Sequence, residues 1–91
     1  MLITPEFERF GLHFHQDITL IADSLDRLME MVLAPFKGAA RRRLKAFIGD
    51  LLRDDVSDDE LQRLWHATPA DIYFHHANEL RTMLREAHDR L

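Results

Sequence analysis

The sequence contains no cysteine, only three glycines and three prolines, and no long apolar run. Without cysteine there can be neither a disulfide framework nor thiolate chemistry, which fits a reducing cytoplasm. No stretch approaches the roughly 20 apolar residues that a membrane-spanning helix needs. The first residues include Glu6 and Glu8 where a signal peptide would be cationic. We therefore expect a cytoplasmic protein with no membrane partner.

The glycine motifs of common enzyme classes are also missing. The sequence has no G-x-S-x-G elbow, no P-loop and no glycine-rich phosphate cradle. We predict no enzymatic activity, no catalytic residue and no cofactor. The alternative is a small metal-dependent or His-based hydrolase, such as a nuclease that uses His15 and His75. Pairs of His and Asp can be drawn from many positions here, so such a pair indicates little.

The length and charge of the chain predict one acidic globular domain over residues 1–91. Of its 91 residues 46% are apolar and 31% charged, and the net charge is −4. Residues 1–36 hold six acids and two bases, residues 37–53 one acid and six bases, and residues 54–91 nine acids and four bases. Overall acidity disfavours direct binding of nucleic acid and favours a basic partner.

Apolar spacing and capping residues predict an all-α fold, a compact bundle of about five helices of which two are short. Residues 12–22 alternate poorly and are predicted to be irregular or extended, and residues 71–74 are predicted to be a short extended or turn segment. The predicted helix limits are, in chain order, Thr4-Pro5 as a start, Ser24 to Pro35, residues 39–53, Ser57 to Pro69, and Asn78 as the last cap.

The clearest local signal is Ser57-Asp58-Asp59-Glu60, a capping box in which Ser57 and Glu60 satisfy each other's amides. Trp65 follows at core spacing, although an interface anchor is the alternative. The acids of this region are predicted to form an anionic surface that docks a cationic protein. In the alternative they only cap the helix and keep the turn soluble. The five predicted binding residues are Asp54, Asp55, Asp58, Asp59 and Glu60.

Two other clusters suggest chemistry. His13, His15 and Asp17 would share one side of an extended chain, and His75-His76 could complete a zinc site. We favour structural hydrogen bonds for these histidines and predict no metal.

The segment from Arg41 to Lys45 could contact phosphate, which makes a nucleic-acid-binding helical module a further alternative. It has no interleaved aromatic residues, so we favour a solvated helix face paired with neighbouring acids.

Phe14-His15-Gln16-Asp17 resembles the FHQD signature of a family of small immunity proteins from bacterial contact-dependent growth inhibition systems. Residues 57–61 and 70–74 resemble the family's S-D-E-E-L stretch and its continuation. Residues 24–30 and 44–52 resemble the start of its second helix and its central helix. The resemblance covers nearly the whole chain. Family members often carry an aromatic residue after the Asp, where this chain has Ile18.

The resemblance implies a function without catalysis. Such proteins bind the C-terminal toxin domain of a cell-surface effector, commonly a nuclease, and neutralise it in a one-to-one complex. A signature shared by a family is a poor candidate for recognising one toxin. We therefore expect the signature residues to hold the fold, with His15 and Asp17 tying the N-terminal segment to the helices. The predicted structural residues are His15, Gln16, Asp17, Ser57, Trp65 and Asp71.

Overall fold

The chain forms an all-α bundle in the computed structural model, which confirms the predicted fold class. The structure describes the backbone of residues 1–91 and all side chains except that of Thr19. Its helices are α1 (Pro5–Leu12), α2 (Ile18–Ile21), α3 (Leu25–Leu33), α4 (Gly38–Leu51), α5 (Asp58–His66) and α6 (Ala77–Arg90). Five of these are the predicted helices, and α2 is an additional single turn.

Three predicted helix starts are made by side-chain caps. The hydroxyls of Thr4, Ser24 and Ser57 each accept a hydrogen bond from the amide three residues later, at 3.1–3.2 Å. These bonds satisfy amides that have no partner inside the helix. The capping box would direct the Glu60 carboxylate to the Ser57 amide, but the structure pairs it with an arginine instead. The Glu60 carboxylate lies 2.6 Å from the Arg63 guanidinium, because that arginine lies one turn further along α5.

The prediction of an irregular or extended stretch over residues 12–22 is wrong for its second half. The Phe14 amide donates to the Gly11 carbonyl at 2.9 Å, and the Ile18 amide donates to the His15 carbonyl at 3.0 Å. These bonds curl the backbone into turns and then into α2. The curling brings two apolar side chains, Phe14 and Ile18, into the core.

The predicted cap of the last helix is also wrong. Asn78 lies inside α6, whose N-cap is His76 without a side-chain cap bond. The chain before α6 is instead held by Gln62, whose side-chain amide donates to the Phe74 carbonyl at 2.9 Å. Because this hydrogen bond holds the segment against α5, α6 begins at Ala77, earlier than a cap at Asn78 would place its start.

Trp65 lies at the centre of the hydrophobic core. α6 packs against α3, α4 and α5, while α4 also packs against α1. The Trp65 indole is only 1% exposed. Its ring centroid lies 5.1–6.2 Å from those of Phe7, Phe10, Phe14 and Phe74. The prediction that Trp65 belongs to the core is confirmed.

Arg41 is not part of a solvated helix face. Its guanidinium donates to the carbonyls of Leu33 and Phe36 at 3.4 and 3.1 Å, and to that of Arg90 at 2.8 Å. Leu33 and Arg90 are the last residues of α3 and α6. Carbonyls at a helix C-terminus lack partners within the helix, and a cation there is favourable. Arg41 therefore joins the ends of two helices to α4.

We expect Arg41→Ala to lower the free energy of unfolding by about 1–3 kcal/mol, because three carbonyls lose a charged donor. Arg41→Lys should recover only part of the loss, since an ammonium lacks the planar fork. Urea unfolding followed by Trp65 fluorescence measures both. Arg42→Ala is the matched control: Arg42 is exposed, and its loss should stay within about 0.5 kcal/mol. Equal losses for Arg41→Ala and Arg42→Ala would contradict the assigned role.

Candidate partner-binding surfaces

The five acids predicted to bind a partner form one corner of the molecule, here called the acidic corner (Asp54, Asp55, Asp58, Asp59 and Glu60). Three of the five are engaged within the chain. Asp55 lies 3.5 Å from Arg53, Asp58 lies 3.1 Å from Arg81, and Glu60 lies 2.6 Å from Arg63 and 3.7 Å from the N-terminal amine.

These pairs bring four cationic groups to five carboxylates. The hydrogen bond from Arg63 holds the pKa of Glu60 below its usual value, with the charges of Arg63 and the N-terminus adding to it. Arg81 also donates to the Val56 carbonyl at 2.7 Å, so its pair with Asp58 connects α6 to the start of α5. Within the described part of the chain, only Asp54 and Asp59 of the corner have no ion pair. The corner is therefore close to neutral rather than strongly anionic.

The polar side chains of the FHQD segment lie at the surface, and their role in holding the fold stays a prediction. His15, Gln16 and Asp17 are exposed, and Asp17 makes no side-chain cap bond at the start of α2. Phe14 of the same segment contacts the chain before α6: its side chain is buried, and its carbonyl accepts from the Asp71 amide at 2.9 Å. Asp71 thus has a structural role through its backbone, while its carboxylate is exposed.

The histidine cluster does not have the extended backbone on which the alternative of a zinc site depended. Residues 13–17 form turns, so His13, His15 and Asp17 are not aligned along an extended strand. Among the described residues, no group of three or more His, Asp or Glu side chains is arranged to hold a metal ion. His15 and His75 both lie at the surface.

Two side chains of the basic segment make structural contacts within the chain, and two are exposed. Arg41 binds helix-terminal carbonyls, and the Arg43 guanidinium lies 3.0 Å from the Glu6 carboxylate. Arg42 and Lys45 remain exposed without an ion pair to any described residue. The hypothesis of a nucleic-acid-binding module therefore loses two of the four cations on which it rested.

A different surface combines negative charge with exposed apolar groups. Residues 10–26 and residues 64–80 contain no Lys and no Arg, although the chain has 12 such residues. The fold joins these two stretches at several points. The Phe14 carbonyl binds the Asp71 amide, and Leu25 and Phe74 line one groove. We call the exposed side chains of the two stretches the cation-free face.

Most of the large apolar side chains that the structure exposes lie on this face. Leu20 is 85% exposed and Tyr73 61% exposed. The remaining exposed examples among the described side chains are Leu12, Ile21 and Leu25 on the face, with Met1 and Leu2 at the N-terminus. A group of exposed large apolar side chains on a small protein is typical of a binding site.

An open groove of about 340 Å³ runs along one side of this face. Its apolar walls come from α3, α6 and the segment before α6, and Glu79 also lines it. A second groove shares Phe74 and continues past Tyr73, whose ring packs edge-on against His66 at a centroid distance of 5.0 Å. The residues that line the first groove are Leu25, Leu28, Phe74, Asn78, Glu79, Thr82 and Met83.

Most of the negative charge of the cation-free face is not paired within the chain. Four of its five exposed acids, Asp17, Asp23, Asp71 and Glu79, have no ion pair with any residue that the structure describes, whereas the fifth, Asp26, pairs with Arg90 of α6. The four arginines that border the two stretches are each paired with an acid outside them: Arg9 with Glu6, Arg27 with Glu30, Arg63 with Glu60, and Arg81 with Asp58.

Sequence reasoning did not identify this face. The absence of Lys and Arg from residues 10–26 and 64–80 is visible in the sequence. So is the presence of Leu20 and Tyr73 outside the helical apolar stripes. The sequence does not reveal that the two stretches lie side by side, because no local pattern encodes that contact.

His13 gives the fold a pH dependence. Its ring packs edge-on against Phe36 at 6.0 Å. Burial lowers its pKa below 6.5, and the charges of His15 and Arg9 lower it further. The native state thus binds this proton more weakly than the unfolded chain does. We expect stability to be level above about pH 6.5 and to fall as the pH drops through the pKa of native His13.

Thermal unfolding between pH 7.5 and 5 measures this effect. His13→Phe should make the decline between pH 6.5 and 5 shallower. Glu6 acts in a lower window: the hydrogen bond from Arg43 lowers its pKa below 4.5, so its contribution is lost only as the pH falls below that value. A decline between pH 6.5 and 5 that is unchanged in His13→Phe would contradict the role of His13.

No helix among the described residues is long and apolar enough to cross a membrane. No family model, curated protein or solved structure matches the chain.

Proposed function

We propose that this protein is an immunity protein that binds and neutralises the C-terminal toxin domain of a contact-dependent growth inhibition effector. The toxin domain is proposed to be a nuclease. The observation that carries the proposal is the cation-free face, because exposed apolar groups beside unpaired carboxylates suit a basic protein partner. The FHQD and SDDEL resemblances support the same function. The FHQD segment meets the stretch 70–74, which carries the continuation of the second resemblance, where the Phe14 carbonyl accepts from the Asp71 amide.

The chemistry of a nuclease explains why an acidic inhibitor suits it. A nuclease must attract phosphate, so its substrate-binding surface is cationic. Carboxylates on an inhibitor occupy the same field, accelerate association and favour the correct partner. A standard interface buries roughly 800 Å² on each partner. The protein has an accessible surface of 5514 Å² and can supply that area from one face.

We propose a binding role without catalysis, exerted in the cytoplasm of the producing cell. The carboxylates and the histidine with shifted pKa values support this, since each has a local structural cause. Glu6 is held by Arg43, Glu60 by Arg63, and His13 is packed against Phe36. Glu6 and His13 lie near opposite ends of α1 and Glu60 lies in the first turn of α5, so the three groups are not arranged as an acid–base pair in one pocket would be.

Co-expression tests the proposal. The chain is expressed with the C-terminal domain of the effector encoded immediately upstream, and cell survival and co-purification are measured together. We expect survival and a one-to-one complex. A chain truncated before α6 serves as the control, because it removes the helix that α3, α4 and α5 pack against. Cell death with no complex between soluble, folded proteins would overturn the proposal.

A further inference from the structure

We infer that the toxin domain docks on the cation-free face rather than on the acidic corner. An apolar side chain of the toxin would enter the groove between Leu25 and Phe74, flanked by Lys or Arg side chains that face Asp71 and Glu79. This inference rests on the proposed function and assigns its interface. It departs from the sequence-based prediction, which placed binding at the acidic corner.

The distribution of cations separates the two surfaces. At the acidic corner Arg53, Arg63, Arg81 and the N-terminal amine lie among the acids, so a cationic partner meets like charges there. The two stretches that form the cation-free face contain no Lys or Arg, the bordering arginines are held in ion pairs elsewhere, and the arginine that reaches the face, Arg90, is paired with Asp26. Charge complementarity with a basic partner is therefore stronger on this face.

Apolar exposure separates them as well. The acidic corner exposes carboxylates around a buried Val56, and the exposed apolar side chain beside them is that of Met1. The cation-free face exposes Leu20, Ile21, Leu25 and Tyr73, and it has the groove beside them. Tight protein complexes usually depend on an apolar anchor in a pocket, surrounded by polar contacts. The groove on this face is lined mostly by apolar side chains, whereas the groove at the acidic corner is lined mostly by charged ones, so the apolar anchor fits this face better.

Charge also argues against a second copy of the chain as the occupant. In a twofold dimer each surface meets itself, so Asp71 and Glu79 would approach the same acids of the other copy. Nucleic acid is disfavoured for the same reason, because its phosphates carry the sign of the face. A cationic protein is the partner that both the carboxylates and the groove can accept.

Two double charge reversals provide a matched test. Asp71→Lys with Glu79→Lys changes the cation-free face, and Asp54→Lys with Asp59→Lys changes the acidic corner. Both pairs shift the net charge by the same amount and replace acids that have no ion pair. Glu79 and Asp59 each occupy the first turn of a helix, while Asp71 and Asp54 each lie outside the helices. Their effects on folding should therefore be similar.

The dissociation constant of the purified toxin domain is measured by calorimetry for each variant, after circular dichroism has verified folding. We expect the reversal on the cation-free face to weaken binding by about 100-fold or more, since each lost charge pair contributes about tenfold. The reversal at the acidic corner should change it by less than about threefold. Leu25→Asp should weaken binding at least about tenfold, while Leu2→Asp, also exposed but off the face, should not.

The other outcomes distinguish an error in the assigned surface from an error in the proposed function. Binding that survives the face reversal but is lost in the corner reversal overturns the assigned surface and leaves the proposed function intact. No binding by the wild-type chain overturns the proposed function and the interface with it. Size-exclusion chromatography with light scattering should show a monomer. A dimer that Leu25→Asp dissociates would show that the face serves a second copy and would overturn the inference.

Discussion

Replacing Trp65 by alanine is expected to remove about 3–5 kcal/mol from the free energy of unfolding. The indole is 1% exposed and packs against four aromatic rings. It also donates to the Ile72 carbonyl at 2.9 Å, which fixes the segment between α5 and α6. Domains of this size have a total stability of about 5–15 kcal/mol, so the variant should be at or near unfolding at 37 °C.

Urea unfolding followed by far-ultraviolet circular dichroism measures the loss, because the variant has no tryptophan left as a fluorescent probe. Trp65→Phe is the informative control. It keeps an aromatic ring but loses the hydrogen bond and part of the volume, so it should cost clearly less than alanine. A loss below about 1 kcal/mol in Trp65→Ala would show that this indole is not the centre of the core.

Gly11→Ala should be strongly destabilising, even though alanine is the better helix former. A Cβ at Gly11 would lie 2.4 Å from both Cβ and Oγ1 of Thr68. Thr68 cannot turn aside freely, since it is buried and its hydroxyl donates to the Trp65 carbonyl at 2.6 Å. α1 must therefore move away from the turn that follows α5. We expect a net loss of about 2 kcal/mol or more after the gain in helix propensity.

Gly49→Ala is the matched control within a helix. The nearest atom to a Cβ at Gly49 belongs to the His88 ring at 3.4 Å, which a side-chain rotation relieves. There the propensity gain of up to about 1 kcal/mol should dominate, so the two substitutions should have opposite signs. Thermal unfolding of the two variants decides the matter. A stabilising Gly11→Ala would mean that α1 and the turn are not in close contact.

Local physics explains which parts of the fold could be predicted. The caps at Thr4, Ser24 and Ser57 depend on residues three positions apart, so a short window of sequence contains the whole cause. Trp65 follows the apolar period of α5 and was placed correctly for the same reason. The start of α6 was misplaced because the bond from Gln62 to the Phe74 carbonyl crosses 12 residues. α2 was missed because burial of Ile18, not helix propensity, requires it.

The binding surface was harder to predict because charge depends on neighbours in space. The acids around Ser57 are dense in sequence, yet Arg81 approaches them from a point 23 residues away. The acids of the cation-free face are dispersed in sequence and become a surface only when residues near Phe14 meet those near Asp71. Counting acids along the sequence therefore overestimates the net negative charge of the acidic corner and does not reveal the cation-free face.

Titration of the toxin domain with this protein measures inhibition and stoichiometry together. The purified toxin domain is held at a fixed concentration well above the expected dissociation constant, and its activity is followed as the protein is added. We expect a linear loss of activity that is complete at one equivalent, with a one-to-one complex by light scattering. Full toxin activity at a tenfold excess of folded protein, with no complex formed, would contradict the proposed function.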